Sequence, residues 1–179
     1  SKMTSYTNCR LMNQLLRLVS TLSLGNPRKS LQIIAAGFLP LLAELITSNE
    51  VMMTEKALKI VRNLSNGGIN HSKTLIANNF IILLREAFEN NQKSMANSMK
   101  DHTEESINLR KLIDINILWT LANISRFEDA CRVGLLKSGV LSNIVPLISF
   151  LSLDSKEEKT LQKAIISLLD NLAMSNECL

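Results

Sequence analysis

Ile117-Leu118-Trp119-Thr120-Leu121-Ala122-Asn123-Ile124-Ser125 is apolar at helical spacing and carries a Trp and an Asn four residues apart. Three other stretches are built the same way: residues 15–23 (LLRLVSTLS), 57–65 (ALKIVRNLS) and 165–173 (IISLLDNLA). Superposed, they bring Ser23, Ser65, Ser125 and Ala173 into one register. Fourteen residues after the first three of these ends stand Gly37, Asn79 and Gly139, each opening a second apolar run: FLPLLAELI, FIILLREAF and VLSNIVPLI. Between the two runs the pairs Ile33-Ile34, Leu75-Ile76 and Leu135-Leu136 also coincide.

The steps between the four ends are 42, 60 and 48 residues. With 42 as the period, the second repeat carries an insertion of 18 residues and the third one of 6. Self-similarity at this period, with three helical pieces per unit, is the signature of a helical solenoid. The pattern resembles the armadillo family. Gly37-Phe38-Leu39-Pro40 matches the start of that family's second helix, and residues 117–125 match its third helix. The resemblance spans nearly the whole chain. It implies an all-α, right-handed superhelical solenoid of about three and a half armadillo-type repeats, a single array over 1–179.

Hydrophobic residues make up 46% of the chain and aromatics only 4%, so the core of such an array must be aliphatic. No apolar run approaches the ~18 residues of a membrane span, and residues 1–5 lack the apolar core of a signal peptide. Cys9, Cys131 and Cys178 are odd in number and lack metal or redox spacing, which predicts free thiols in a reducing compartment. Three N-x-S triplets begin at Asn63, Asn70 and Asn123; two of them end predicted packed helices, and all three are taken as chance matches to a glycosylation pattern. The expected location is cytoplasmic or nuclear.

Helices are expected over 5–23, 28–36, 38–47, 52–65, 71–78, 80–89, from an N-cap at Asp101 to 125, 129–137, 140–150 and from an N-cap at Ser155 to about 174. Leu11, Leu15, Leu18, Val19 and Leu22 predict the inward face of the first, and Ile107, Leu112, Ile115, Leu118 and Leu121 that of the seventh. Gly25 and Gly67-Gly68 stand where helices should stop. Asp101 with Glu104, and Ser155 with Glu158, have capping-box spacing. Pro146 predicts a kink or a late start in its helix. Residues 91–102 are polar without apolar period and predict a flexible insertion loop. Neither end has the polar outer face of a capping unit, so a fragment of a longer array, or ends covered by other segments or by self-association, is expected.

No nucleophile motif, phosphate-cradling glycine loop or pair of carboxylates in an apolar setting is present, and His71 and His102 have no ligand-spaced partner and are expected to be solvated. The expectation is therefore not an enzyme, with no cofactor or metal. The resemblance implies that third helices line a concave groove. There Asn at the fourth position after Trp would hydrogen-bond an extended peptide, since an amide both donates and accepts. The Asn register holds Thr21, Asn63, Asn123 and Asn171, and the Trp register Arg17, Lys59, Trp119 and Ser167, with Arg62 beside them.

Residues 1–43 contain five basic residues and no acid, while the remainder has 15 basic and 16 acidic residues. That mild excess is not the basic stripe of a nucleic-acid binder. It favours an acidic or phosphorylated partner segment. The leading expectation is a scaffold binding such a segment of another protein. The rivals are a structural element of a larger intracellular assembly, held by its ends and convex face, and a nuclear import adaptor, which the basic groove disfavours.

Overall fold

The computed structural model describes residues 2–48, 50–97, 103–148 and 154–175. Among them are ten α-helices and no strand: α1 (Lys2–Ser23), α2 (Pro27–Ala35), α3 (Phe38–Ile46), α4 (Val51–Ser65), α5 (Ile69–Ala77), α6 (Phe80–Asn97), α7 (Glu104–Ser125), α8 (Asp129–Lys137), α9 (Val140–Ile148) and α10 (Lys156–Ala173). The four third helices α1, α4, α7 and α10 end in the predicted register, at Ser23, Ser65, Ser125 and Ala173. They form one layer, α4 packing between α1 and α7, and α10 against α7.

In the first and third units the second helix turns sharply out of the short one before it. α2 and α3 meet at 86° and α8 and α9 at 81°. The corner residue is left-handed in all three complete units: Gly37 at φ 80°, Asn79 at φ 62° and Gly139 at φ 76°. A side chain costs roughly 1–2 kcal/mol in this conformation, least for Asn, whose short polar group fits it. The Gly/Asn/Gly register is thus a backbone requirement.

The core is aliphatic, as composition demands, and includes Leu16, Leu42, Leu58, Leu64, Leu84, Ile117, Leu121, Leu135 and Leu168. α7 is buried at six consecutive positions, from Ile113 to Leu118, because neighbouring helices enclose it. Its earlier turns reach past them, so Ile107 and Leu112 are exposed rather than inward. Among the described side chains of α1, Leu16, Val19 and Ser23 are buried; Leu11, Leu18 and Leu22 are exposed, contrary to the predicted face, because α1 contacts α2 and α4 with its other side.

The largest departure from expectation is at 91–102. α6 continues to Asn97, and Asn91 is buried, so 91–97 is helix and not loop; 98–102 lie outside the described residues. α7 is capped by Thr103, whose Oγ1 accepts from Ser106 N at 3.3 Å, while Asp101 lies outside the described residues. The capping box of Ser155 and Glu158 forms as predicted. α9 starts at Val140 and runs through Pro146 without a late start. Both Pro146 and Ser142, whose carbonyl loses its helical donor there, are exposed to water.

His71 is buried, not solvated. Its Nε2 lies 3.0 Å from the Pro27 carbonyl and must donate to it, tying α5 to α2 of the preceding unit. The ring fills the space beside Gly67, where an added Cβ would stand 2.5 Å from Nε2. His102 lies outside the described residues. Cys131 is a buried free thiol, its pKa raised by burial and then by Glu128.

Candidate functional site

The third-helix layer carries all the residues singled out by the repeat register. Thr21, Asn63, Asn123 and Asn171 occupy equivalent positions two residues before the four helix ends. The three amides make the same contacts. Asn63 Nδ2 donates to Ser20 O and Ser23 Oγ, both at 3.2 Å. Asn123 Nδ2 donates to Arg62 O at 3.4 Å and Ser65 Oγ at 3.0 Å. Asn171 Nδ2 donates to Ala122 O at 2.8 Å and Ser125 Oγ at 3.3 Å.

In each case the Ser hydroxyl gives its own proton to the carbonyl three residues back, at 2.8 to 2.9 Å, and so can only accept from the amide. The Asn is therefore a staple between successive third helices. It supplies orphan carbonyls at the end of one helix with a donor from the next. The two acceptors of each amide stand only 2.8 to 2.9 Å apart, too close to take its two diverging N–H bonds separately, so one proton is shared between them and the staple leaves the other unengaged. No protein donor among the described residues reaches the Oδ1 atoms of these three amides, and none is a buried unsatisfied atom, so they open to solvent. Thr21 holds the Asn position in α1 without a staple, its Oγ1 donating to Arg17 O at 3.0 Å.

Further polar rungs join the same layer. Lys56 Nζ donates to Asn13 Oδ1 between α1 and α4. Asn116 Nδ2 donates to Glu55 Oε1 at 3.3 Å between α4 and α7, and Lys111 Nζ pairs with Glu158 Oε1 at 3.1 Å between α7 and α10.

Arg17, Thr21 and Lys59 come together with Leu16, Ser20, Glu55 and Lys56 around an open cavity of about 220 Å³ between α1 and α4. Arg17, Thr21 and Lys59 are exposed; Arg62, Asn63, Trp119, Asn123, Ser167 and Asn171 are half-buried. Arg62 has its pKa lowered first by burial, with Glu55 opposing the shift. Trp119 packs on the core, leaving part of the ring on the surface. Within one turn of positions 17, 59, 119 and 167 the charged residues are Arg17, Lys56, Lys59, Arg62 and Lys163 against Glu55 and Asp170. The layer is therefore cationic, most densely between α1 and α4. Among the described residues no group of three or more His, Cys, Asp and Glu is placed to hold a metal ion.

Sequence reasoning missed Ser20, Lys56 and Asn116, which lie one turn from the registered positions. It also missed the part played by Ser23, Ser65 and Ser125, although their register was visible. The two N-x-S triplets at Asn63 and Asn123 are the signal: each holds one residue that staples backward and one that is stapled from ahead.

No protein-family model matches the chain. No curated protein matches it either. Among solved structures, a designed armadillo repeat protein in complex with the peptide (KR)4 superposes with a TM-score of 0.69 at 23% identity, over 92% of this chain and 59% of that one. The fold is of the armadillo-repeat type. A second designed armadillo repeat protein gives a TM-score of 0.69 at 22% identity, over 90% of this chain and 58% of that one. An engineered protein gives 0.65 at 19% identity, over 88% and 54%. This armadillo array thus spans somewhat over half the length of the structures it matches.

Proposed function

We propose that this armadillo array is a non-catalytic protein-interaction scaffold whose third helices line a concave groove for an extended, acidic or phosphorylated segment of a partner protein. The observation that carries this reading is the cavity between α1 and α4, where Arg17, Lys56 and Lys59 face a single acid, Glu55. Arg and Lys pair with carboxylate and phosphate through charge-assisted hydrogen bonds. The staples narrow the part played by Asn63, Asn123 and Asn171. With one Nδ2 proton held by the staple, each offers Oδ1 and its second N–H, which would accept from and donate to the main chain of the bound segment. Trp119 and Ser167 would flank that path. The structural neighbour holding (KR)4 has a basic ligand; the cationic layer here would repel one, which also argues against import-adaptor recognition of basic signals.

The test is fluorescence anisotropy with three labelled octapeptides: a Glu-rich one, the same peptide with phosphoserines, and (KR)4. The acidic peptides should bind, less tightly as salt rises. Arg17→Glu with Lys59→Glu should abolish that binding, and Lys93→Glu on α6 should not. Preferential binding of (KR)4, or an unchanged affinity in the folded double variant, overturns the reading.

A second reading, a structural element of a larger assembly in cytosol or nucleus, is favoured by one feature: Leu11, Leu18 and Leu22 on α1 are 65, 57 and 38% exposed. Sedimentation of wild type against Leu11→Ser with Leu18→Ser tests it. Loss of a self-associated species in the variant supports it, and a monomer in both cases overturns association through this face.

A further inference from the structure

The second repeat is lengthened in two places relative to the first. α6 runs nine residues past the register position where α3 ends, and α7 begins seven residues ahead of the position where α4 begins. The added turns meet beside the end of α3 and the start of α4 and enclose a cavity of about 240 Å³. Asn90, Asn91 and Ser94 come to it from the α6 extension and Arg110 from the α7 extension, over an apolar floor that includes Leu83 and Ile113. The first repeat lacks these turns.

Arg110 is half-buried and fixed by one buried residue acting twice. Asn91 Nδ2 donates to Arg110 O at 2.9 Å, and Arg110 Nη1 donates to Asn91 Oδ1 at 3.1 Å. Arg110 Nε is buried without an acceptor. No carboxylate among the described residues stands at ion-pair distance from this guanidinium. Asn90 and Ser94 make no side-chain hydrogen bond among the described residues either. With Nη1 committed and Nε closed to solvent, Nη2 is the donor that Arg110 keeps for a group in the cavity, and the positive charge favours a carboxylate oxygen there.

We propose that this cavity is a carboxylate-binding site, with Arg110 Nη2 holding one oxygen, Asn90 and Ser94 donating to the other, and the apolar floor taking a short aliphatic stem. It is smaller than the ~300–1,000 Å³ of sites for larger ligands, so the ligand is an acidic side chain of a partner or a small carboxylic acid. Two acids already lie nearby. Glu86 lines the cavity and is held 3.7 Å from Arg85. Asp114, buried behind Asn91, shares the field of Arg110. A bound carboxylate would compete for that field and move the Asp114 titration midpoint upward from about 7. The site is separate from the third-helix groove and does not depend on its function.

The experiment follows the Arg110 Nε–Hε resonance in isotopically labelled protein during titration with acetate, glutarate and the peptide Gly-Glu-Gly, with chloride at matched ionic strength as control. All three acids should move the resonance saturably, chloride should not, and the Asp114 carboxyl midpoint should rise in the bound state. Arg110→Lys, which keeps the charge and loses both Nη2 and the Nη1 bond to Asn91 that aims it, should weaken glutarate roughly tenfold. Asn90→Ala and Ser94→Ala should weaken it less, and Lys93→Gln not at all. Tighter binding of the peptide than of glutarate assigns the site to a partner side chain, and the reverse to a small acid. An unmoved resonance, an equal shift with chloride, or an unchanged glutarate affinity in folded Arg110→Lys overturns the proposal. If Arg110→Lys does not fold, the wild-type titration and the Asn90 and Ser94 variants decide.

Discussion

Asn79 occupies a corner that two other repeats give to glycine, and it keeps the same left-handed backbone. Replacing it should relieve the cost of a Cβ there: Asn79→Gly is expected to be neutral or up to about 1 kcal/mol stabilising, and Gly139→Ala to cost about 1–2 kcal/mol. Nothing lies within 4 Å of a Cβ added at Gly139, so the second change tests backbone conformation alone. Urea denaturation of both variants measures the pair. Equal effects of the two substitutions would show that the corner is not strained.

Asp114 offers a different residue-scale test. It is buried, with Oδ1 accepting from Asn91 at 2.8 Å and Oδ2 from Gln92 at 2.7 Å. Burial raises its pKa from 3.8 to about 7, against the opposing pull of the Asn91 and Gln92 hydrogen bonds and the Arg110 charge. The folded protein thus holds a proton that the unfolded chain releases between these two values. Ionisation there disfavours folding, so this group's contribution is most favourable below pH 4. It falls as pH rises toward 7 and is flat above, a loss on the order of 4 kcal/mol. Asp114→Asn, with the Gln92 amide turned to present its oxygen, should remove that slope. Urea midpoints at pH 5 and pH 8 for both proteins check it, and parallel changes in the two would mean that other groups dominate.

At the scale of the element, the ends of the third helices were legible because four copies of one pattern fix one another's register. The α6 extension was not. Asn90-Asn91-Gln92 reads as a loop by local pattern, since its polar side chains promise no apolar face. The partners of Asn91 and Gln92 are Arg110 and Asp114, 19 to 23 residues ahead, and no short window shows that pairing. The Asn ladder was legible as a position and illegible as a contact, because its acceptors lie 40 or more residues earlier in the chain. Removing Asn91 tests whether the extension is held as described. Asn91→Ala takes away two donors and the acceptor for Arg110 Nη1, one of them to a carboxylate, and should cost about 2–3 kcal/mol. A loss below ~0.5 kcal/mol would mean that the Asn91 contacts do not hold the extension in place.

At the scale of the whole molecule, the array is stable through contacts between neighbouring units, so the strength of each interface sets how cooperatively it unfolds. Asn123→Ala breaks the staple between α4 and α7 in the middle of the layer. It is expected to lower stability by about 1–2 kcal/mol and to broaden the urea transition, as the two halves begin to unfold separately. A uniform shift of an equally steep transition would place the coupling in apolar packing instead.

The three staples also make the layer a ruler. Each commits a donor to the repeat before it, so the distance from one Oδ1 to the next is set by bonds inside the protein and not by whatever lies on top. A solenoid tied in this way resists stretching to follow its ligand. The ligand must bring the right stride. Two acidic anchors joined by a linker of matching length should gain from each other's binding, and one residue inserted between them should cancel most of that gain while leaving each anchor's own affinity unchanged.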